Sequence, residues 1–106
     1  MRIIHNLSKD AREKIIEILL EKRGNKELAE ELGISPSAIT KFLNGETHPS
    51  DKTIERALKI ADEEEKEKIY KIIVEDVVES LEEFLEFIDS ENEKIRKLKE
   101  CLSMIW

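Results

Sequence analysis

The chain has 106 residues, 41% of them charged and 5% aromatic, and a net charge of −7. That length and composition point to an α-helical protein whose core is built from Ile, Leu, Val and Ala, as one domain or as a small domain plus a long helix. No apolar run nears the roughly 18 residues of a membrane span, and a single cysteine, Cys101, excludes an internal disulfide framework.

The N-terminal stretch MRIIHNLSKDAR lacks the apolar core and cleavage site of a secretory signal, so a cytoplasmic location is expected. Gln is absent while Lys and Glu are abundant, a bias that fits a heat-adapted source. The charge is unevenly spread. Residues 1–61 carry 11 basic and 10 acidic side chains, and residues 62–106 carry 7 and 15. This asymmetry predicts two regions with different tasks, 1–61 and an acidic tail, 62–106.

In chain order, Ile3, Ile4 and Leu7 form a short apolar stretch before Ser8, which is suited to cap a helix over 9–23. Ala11, Ile15, Ile18 and Leu19 recur there at helical spacing, and Gly24 is suited to a left-handed stop. Asn25 is placed to cap a second helix bearing Leu28, Ala29 and Leu32, which Gly33 ends. Ser35 caps a third, with Pro36 at its first position, Ile39, Phe42 and Leu43 on its apolar side, and Asn44-Gly45 as its stop. After the loop GETHPS, Ser50 or Asp51 starts a fourth helix with Ile54, Ala57, Leu58 and Ala61 on one face. No segment alternates like a strand.

Asp62 and Glu65 have capping-box spacing at the head of a long helix. Tyr70, Val74, Val77, Leu81, Phe84 and Ile88 then step by four and three, and the phase continues through Glu91, Ile95, Leu98, Leu102 and Ile105. Residues 89–93 interrupt this seam, and Ser90 with Glu93 forms a second possible capping box. The tail is therefore one helix of about 40 residues or two helices folded back on each other. Ile73, Val78, Leu85 and Phe87 widen the stripe, which favours more than one packing partner.

Two short helices joined by a tight Gly turn make a helix-turn-helix. Here the inner side would hold Leu32, Ile34, Ile39 and Phe42, and the outer side of the third helix Ser37, Thr40, Lys41 and Asn44. Short polar groups and one cation suit base edges and phosphates of a major groove.

The stretch Leu28-Ala29, Leu32-Gly33-Ile34-Ser35, Ile39, Phe42-Leu43 and Asn44-Gly45 resembles the phage-repressor-like (Cro/XRE-type) helix-turn-helix family, and residues 49–61 resemble its next loop and helix. The resemblance covers roughly residues 8–61. It implies an all-α fold: a compact four- to five-helix repressor-like domain, followed here by a long amphipathic C-terminal helix or a helical hairpin. It also implies binding of double-stranded DNA, with recognition helix 36–43 in the major groove. The implied readers are Ser37, Thr40 and Lys41, with Asn44 nearby and Ser35 at the helix start. The implied phosphate contacts are Asn25 and Lys26, then Thr47 and His48 in the following loop. Where the family commonly carries Gln at the starts of its second and third helices, this chain has Asn25 and Pro36.

The tail stripe needs burial. Four short helices cannot cover all of it, so a homodimer is expected through Tyr70, Val74, Val77, Leu81, Phe84, Ile88, Ile95, Leu98, Leu102 and Ile105. His5 and His48 lack metal-ligand spacing, and no catalytic constellation or cofactor motif stands out. The leading expectation is a transcriptional regulator that binds palindromic DNA as a dimer. Two rivals stay open: an antitoxin or stand-alone relative of a recombinase DNA-binding domain, and an adaptor whose acidic tail binds a protein.

Overall fold

The computed structural model describes residues 1–88 and 92–105, without the side chain of Ile105. Seven helices and no strand occur among the described residues: α1 (Arg2–His5), α2 (Lys9–Leu20), α3 (Asn25–Leu32), α4 (Pro36–Leu43), α5 (Asp51–Ile60), α6 (Glu63–Phe87) and α7 (Glu93–Ile105). The fold is all-α, as expected. The apolar start of the chain adds a short helix, α1, that places Ile4 in the core with no exposed surface.

The caps follow the sequence closely. Ser8, Ser35 and Ser50 each accept a backbone N–H from the first turn of the helix they precede, and Pro36 takes the first position of α4. Asp62 and Glu65 form the reciprocal capping box of α6.

The first correction is at Gly24. It does not end α2 in a left-handed conformation but is the extended N-cap of α3, with φ −78°. Asn25 therefore lies inside α3 rather than capping it, which frees its amide for another partner. The second correction is the end of α2, at Leu20 rather than residue 23. The cause is Arg23, whose guanidinium turns back to the Leu19 carbonyl (2.7 Å) and out to Glu65 (2.9 Å).

Ile15, Ile16, Leu19, Leu28, Leu32, Ile39, Ile54 and Ile69 are almost completely buried and form one core, to which α6 contributes Ile69 and Ile73. Burying each such side chain is worth about 1.5–3 kcal/mol. Arg12 is buried too, and all three of its guanidinium nitrogens donate. It donates to the carbonyls of Ile4 (2.7 Å), Leu7 (3.3 Å) and Pro49 (2.9 Å) and pairs with Asp51 (2.6 Å), tying α1, α2, α5 and the preceding loop together. No buried side-chain polar atom lacks a partner among the described residues.

α6 packs mainly on α2. Ser8 fastens it there, giving both its N–H (3.0 Å) and its hydroxyl (2.5 Å) to Asp76. The helix has 25 residues, so it is about 37 Å long. It outruns the domain and stretches the molecule to 51 × 28 × 20 Å, with a radius of gyration of 16.2 Å where a compact chain of this size has about 13 Å.

The tail is two helices, not one. Ile88 leaves the helix in an extended conformation (φ −89°, ψ 137°). Asn92 then opens α7, accepting the N–H of Lys94 on its side chain (2.9 Å) and that of Arg96 on its carbonyl (3.0 Å). The Ser90–Glu93 capping box and the seam position Glu91 lie outside the described residues. α7 rests against the C-terminal half of α6, burying Leu102 and Leu85 on either side of a cleft of about 320 Å³ lined also by Glu82, Glu86, Lys99 and Ser103.

Candidate nucleic-acid interface

α3 and α4 pack on each other, held from behind by α2 and, for α3, by α5. The turn between them depends on Gly33, whose φ of +71° costs a side-chain-bearing residue roughly 1–2 kcal/mol. Two backbone bonds close the turn: Ile34 N–H to the Ala29 carbonyl (2.9 Å) and Gly33 N–H to the Glu30 carbonyl (3.2 Å). This is a Schellman stop. It repeats at the other end of α4, where Gly45 has φ +73°, Glu46 N–H reaches the Lys41 carbonyl (3.0 Å) and Gly45 N–H the Phe42 carbonyl (3.2 Å).

A second reason for glycine at 33 comes from α5. The Arg56 guanidinium donates to the Leu32 carbonyl (3.3 Å) and occupies the space that a Cβ at Gly33 would need. Lys52 and Arg56, one helical turn apart, flank a recess of about 180 Å³ beside the turn. Sequence reasoning missed both. Their spacing on the polar side of α5 was a readable signal, but nothing local says that this side faces the turn.

All nine residues expected at the interface are exposed: Asn25, Lys26, Ser35, Ser37, Thr40, Lys41, Asn44, Thr47 and His48. The fold brings several together. Asn25 at the start of α3 donates to the Thr40 hydroxyl on α4 (3.5 Å), and Thr40 donates to the Pro36 carbonyl (3.4 Å). Ser35 and Ser37 share a hydrogen bond (3.1 Å), and the Ser35 hydroxyl also accepts the Ala38 N–H (3.2 Å) as the α4 cap. The N–H of Thr47 lies 3.4 Å from the Lys41 carbonyl, so the loop with His48 doubles back toward the end of α4.

The electrostatics are mild. Lys26, Lys41 and Lys52 make no ion pair among the described residues. Glu27, Glu30 and Glu46 lie close to them in sequence and are also exposed. Other cations of the domain are committed elsewhere: Lys14 to Asp10 (3.0 Å), Lys22 to Asp62 (2.7 Å) and Arg12 to Asp51.

The expected dimer residues are divided. Tyr70, Val74 and Phe84 are exposed. Leu81, Ile88, Ile95 and Leu98 are half-buried, and Val77 packs in part against the domain core. Leu102 is buried within the chain, against α6. The side chain of Ile105 lies outside the described residues.

Residues 16–65, just under half of the chain, match the protein family described as helix-turn-helix. That stretch is a helix-turn-helix domain of the repressor-like (Cro/XRE-type) family. No curated protein and no solved structure matches it significantly. No helix among the described residues is long and apolar enough to cross a membrane, and no group of His, Cys, Asp and Glu there could hold a metal ion.

Proposed function

We propose that the protein is a non-enzymatic regulator of transcription that binds palindromic double-stranded DNA as a homodimer, in the manner of a repressor. The single observation that carries this reading is the two-sidedness of α4. Its inner face, Ile39 and Phe42, is sealed in the core, while Ser37, Thr40, Lys41 and Asn44 all stand in solvent on the outer side. These groups can read base edges. Asn25 and Lys26 at the start of α3, with Thr47 and His48, would hold phosphates.

Dimerisation is supported by the apolar row Tyr70, Val74 and Phe84, left uncovered along a helix that projects past the domain. A two-fold pair would present two copies of α4 about 34 Å apart, one turn of DNA. The acidic tail would lie away from the phosphates, whose charge it would otherwise oppose.

The test is selection of duplexes from a random pool on the purified protein. A palindromic motif is the expected outcome, and no enrichment at low salt would remove the reading. On the selected site, Lys41→Ala should cost about 1–3 kcal/mol of affinity, and Lys26→Ala should lower the salt slope by about 1. Phe87 and Met104, each more than 85% exposed and off the main row, support a second reading in which the tail covers a different protein. Co-purification of a small partner with the native chain would favour it.

A further inference from the structure

We infer that Arg23 and Glu65 are positioning residues that clamp the tail to the hinge between α2 and α3, so that the tail sets the spacing at which a dimer reads its two half-sites. The inference rests on the regulator reading above and adds the part that makes it selective for spacing.

Glu65 is 1% exposed, so its charge must be satisfied inside the protein. Both carboxylate oxygens are used. Oε2 accepts from Arg23 Nη1 (2.9 Å), and Oε1 accepts from Arg23 Nη2 (3.1 Å) and from the Asp62 N–H (3.0 Å). Burial by itself would push the Glu65 carboxyl up, but Arg23 and the Asp62 N–H outweigh it and hold the group below its ordinary range. The pairing is bidentate, so it fixes direction as well as distance.

The same guanidinium touches two more helices. Nη1 donates to the Leu19 carbonyl at the end of α2 (2.7 Å), and Nε lies 3.6 Å from Glu31 of α3. One planar group thus joins α2, α3 and α6. Beside it Lys22 pairs with Asp62 at 2.7 Å. The next residue, Gly24, starts α3 without any side-chain cap, so the entry to α3 relies on what its neighbours hold. From there Asn25 reaches Thr40 on the outer face of α4. A continuous path of bonds therefore runs from the first turn of α6 to the face offered to DNA.

Ile69 and Ile73 pack α6 onto the domain, and Ser8 ties it further along at Asp76. At the hinge itself the buried clamp, with Lys22–Asp62 beside it, fixes the direction of the first turn of α6. For two linked modules, simultaneous engagement depends on geometry, and a loose joint admits neighbouring spacings.

Glu65→Gln in the full chain removes the charge at nearly constant shape, and Arg23→Lys, milder, removes the fork but keeps a cation. Two readouts follow: amide hydrogen exchange in the free protein, and selection on duplexes whose half-site separation varies in single base pairs. The amides of residues 28–32 should exchange roughly tenfold faster or more, with α5 unchanged, since hydrogen bonds to charged groups are lost. The variants should also accept separations that the wild type rejects, while keeping affinity for a single half-site. Unchanged exchange at 28–32 in both variants overturns the clamp, whatever the DNA result. Faster exchange with spacing preference unchanged overturns the positioning role. Faster exchange in a protein that selects no DNA even as wild type supports the clamp and overturns the regulator reading. Should Glu65→Gln fail to fold, Arg23→Lys decides on the same readouts.

Discussion

Ile15, Ile39 and Ile54 in the first five helices have no exposed surface, whereas Tyr70, Val74 and Phe84 on α6 are each close to half exposed. Both regions use a helical apolar stripe. In the first, short helices cross one another and every stripe finds a neighbour. In the second, one side of α6 meets α2, the C-terminal end meets α7, and a third strip between them meets water. A stripe in sequence states that a surface has to be covered, and it does not state by what. A domain closes its stripes within the chain; a projecting helix leaves one open.

The contrast can be broken from either side. Leu19→Ala, in the closed core, should cost about 2–5 kcal/mol in denaturant unfolding. A smaller loss would show that the region is less tightly packed than its burial implies. Tyr70→Glu combined with Phe84→Glu should leave the helical circular dichroism intact and, if the proposed homodimer forms through this strip, give a monomer in sedimentation where the wild type sediments as a dimer. If the pair lowered the stability of the monomer instead, the open strip would belong to the core. Gly33→Ala should cost roughly 1–2 kcal/mol for its left-handed backbone, plus the displacement of Arg56. Arg56→Ala in the same background should recover the second part.

Acid should act on the joints more gently. His5 and Arg12 hold the Asp51 carboxyl below its ordinary value, Lys22 and the Glu65 N–H do so for Asp62, and Glu65 is lowered against its own burial. A carboxyl lowered in the folded state adds stability above its unfolded value near pH 4 and loses it as pH falls through the folded one. The melting temperature should therefore be flat between pH 7 and about 5 and decline below about 4. In Glu65→Gln that decline should be shallower.

Much of this was legible in sequence because it is local. Ser8, Ser35, Ser50 and the Asp62–Glu65 box name their helix starts, and Gly33 and Gly45 name two stops, since cap chemistry involves residues no more than a few positions apart. Gly24 was misread for an instructive reason. Glycine suits both a left-handed stop and an extended start, and what decides between them is Arg23 reaching Glu65, a bond spanning 42 positions. The contacts of Arg12 and Arg56 could not be read for the same reason, because their partners at Asp51 and Leu32 come from the fold. The outer face of α4 could be read from periodicity alone, but its link to Asn25 could not.

The two left-handed glycines that bracket α4 have a consequence for how such a protein changes. The ends of this helix are fixed by backbone bonds and by Ser35, and its depth by Ile39 and Phe42. The side chains at positions 37, 40, 41 and 44 are exposed, with only weak ties at Ser37 and Thr40. The helix is thus a cassette. Its outward letters can be rewritten, by selection or by design, at little risk to the frame that holds them, so that, on the proposed function, a new preference could arise without the protein first becoming unstable.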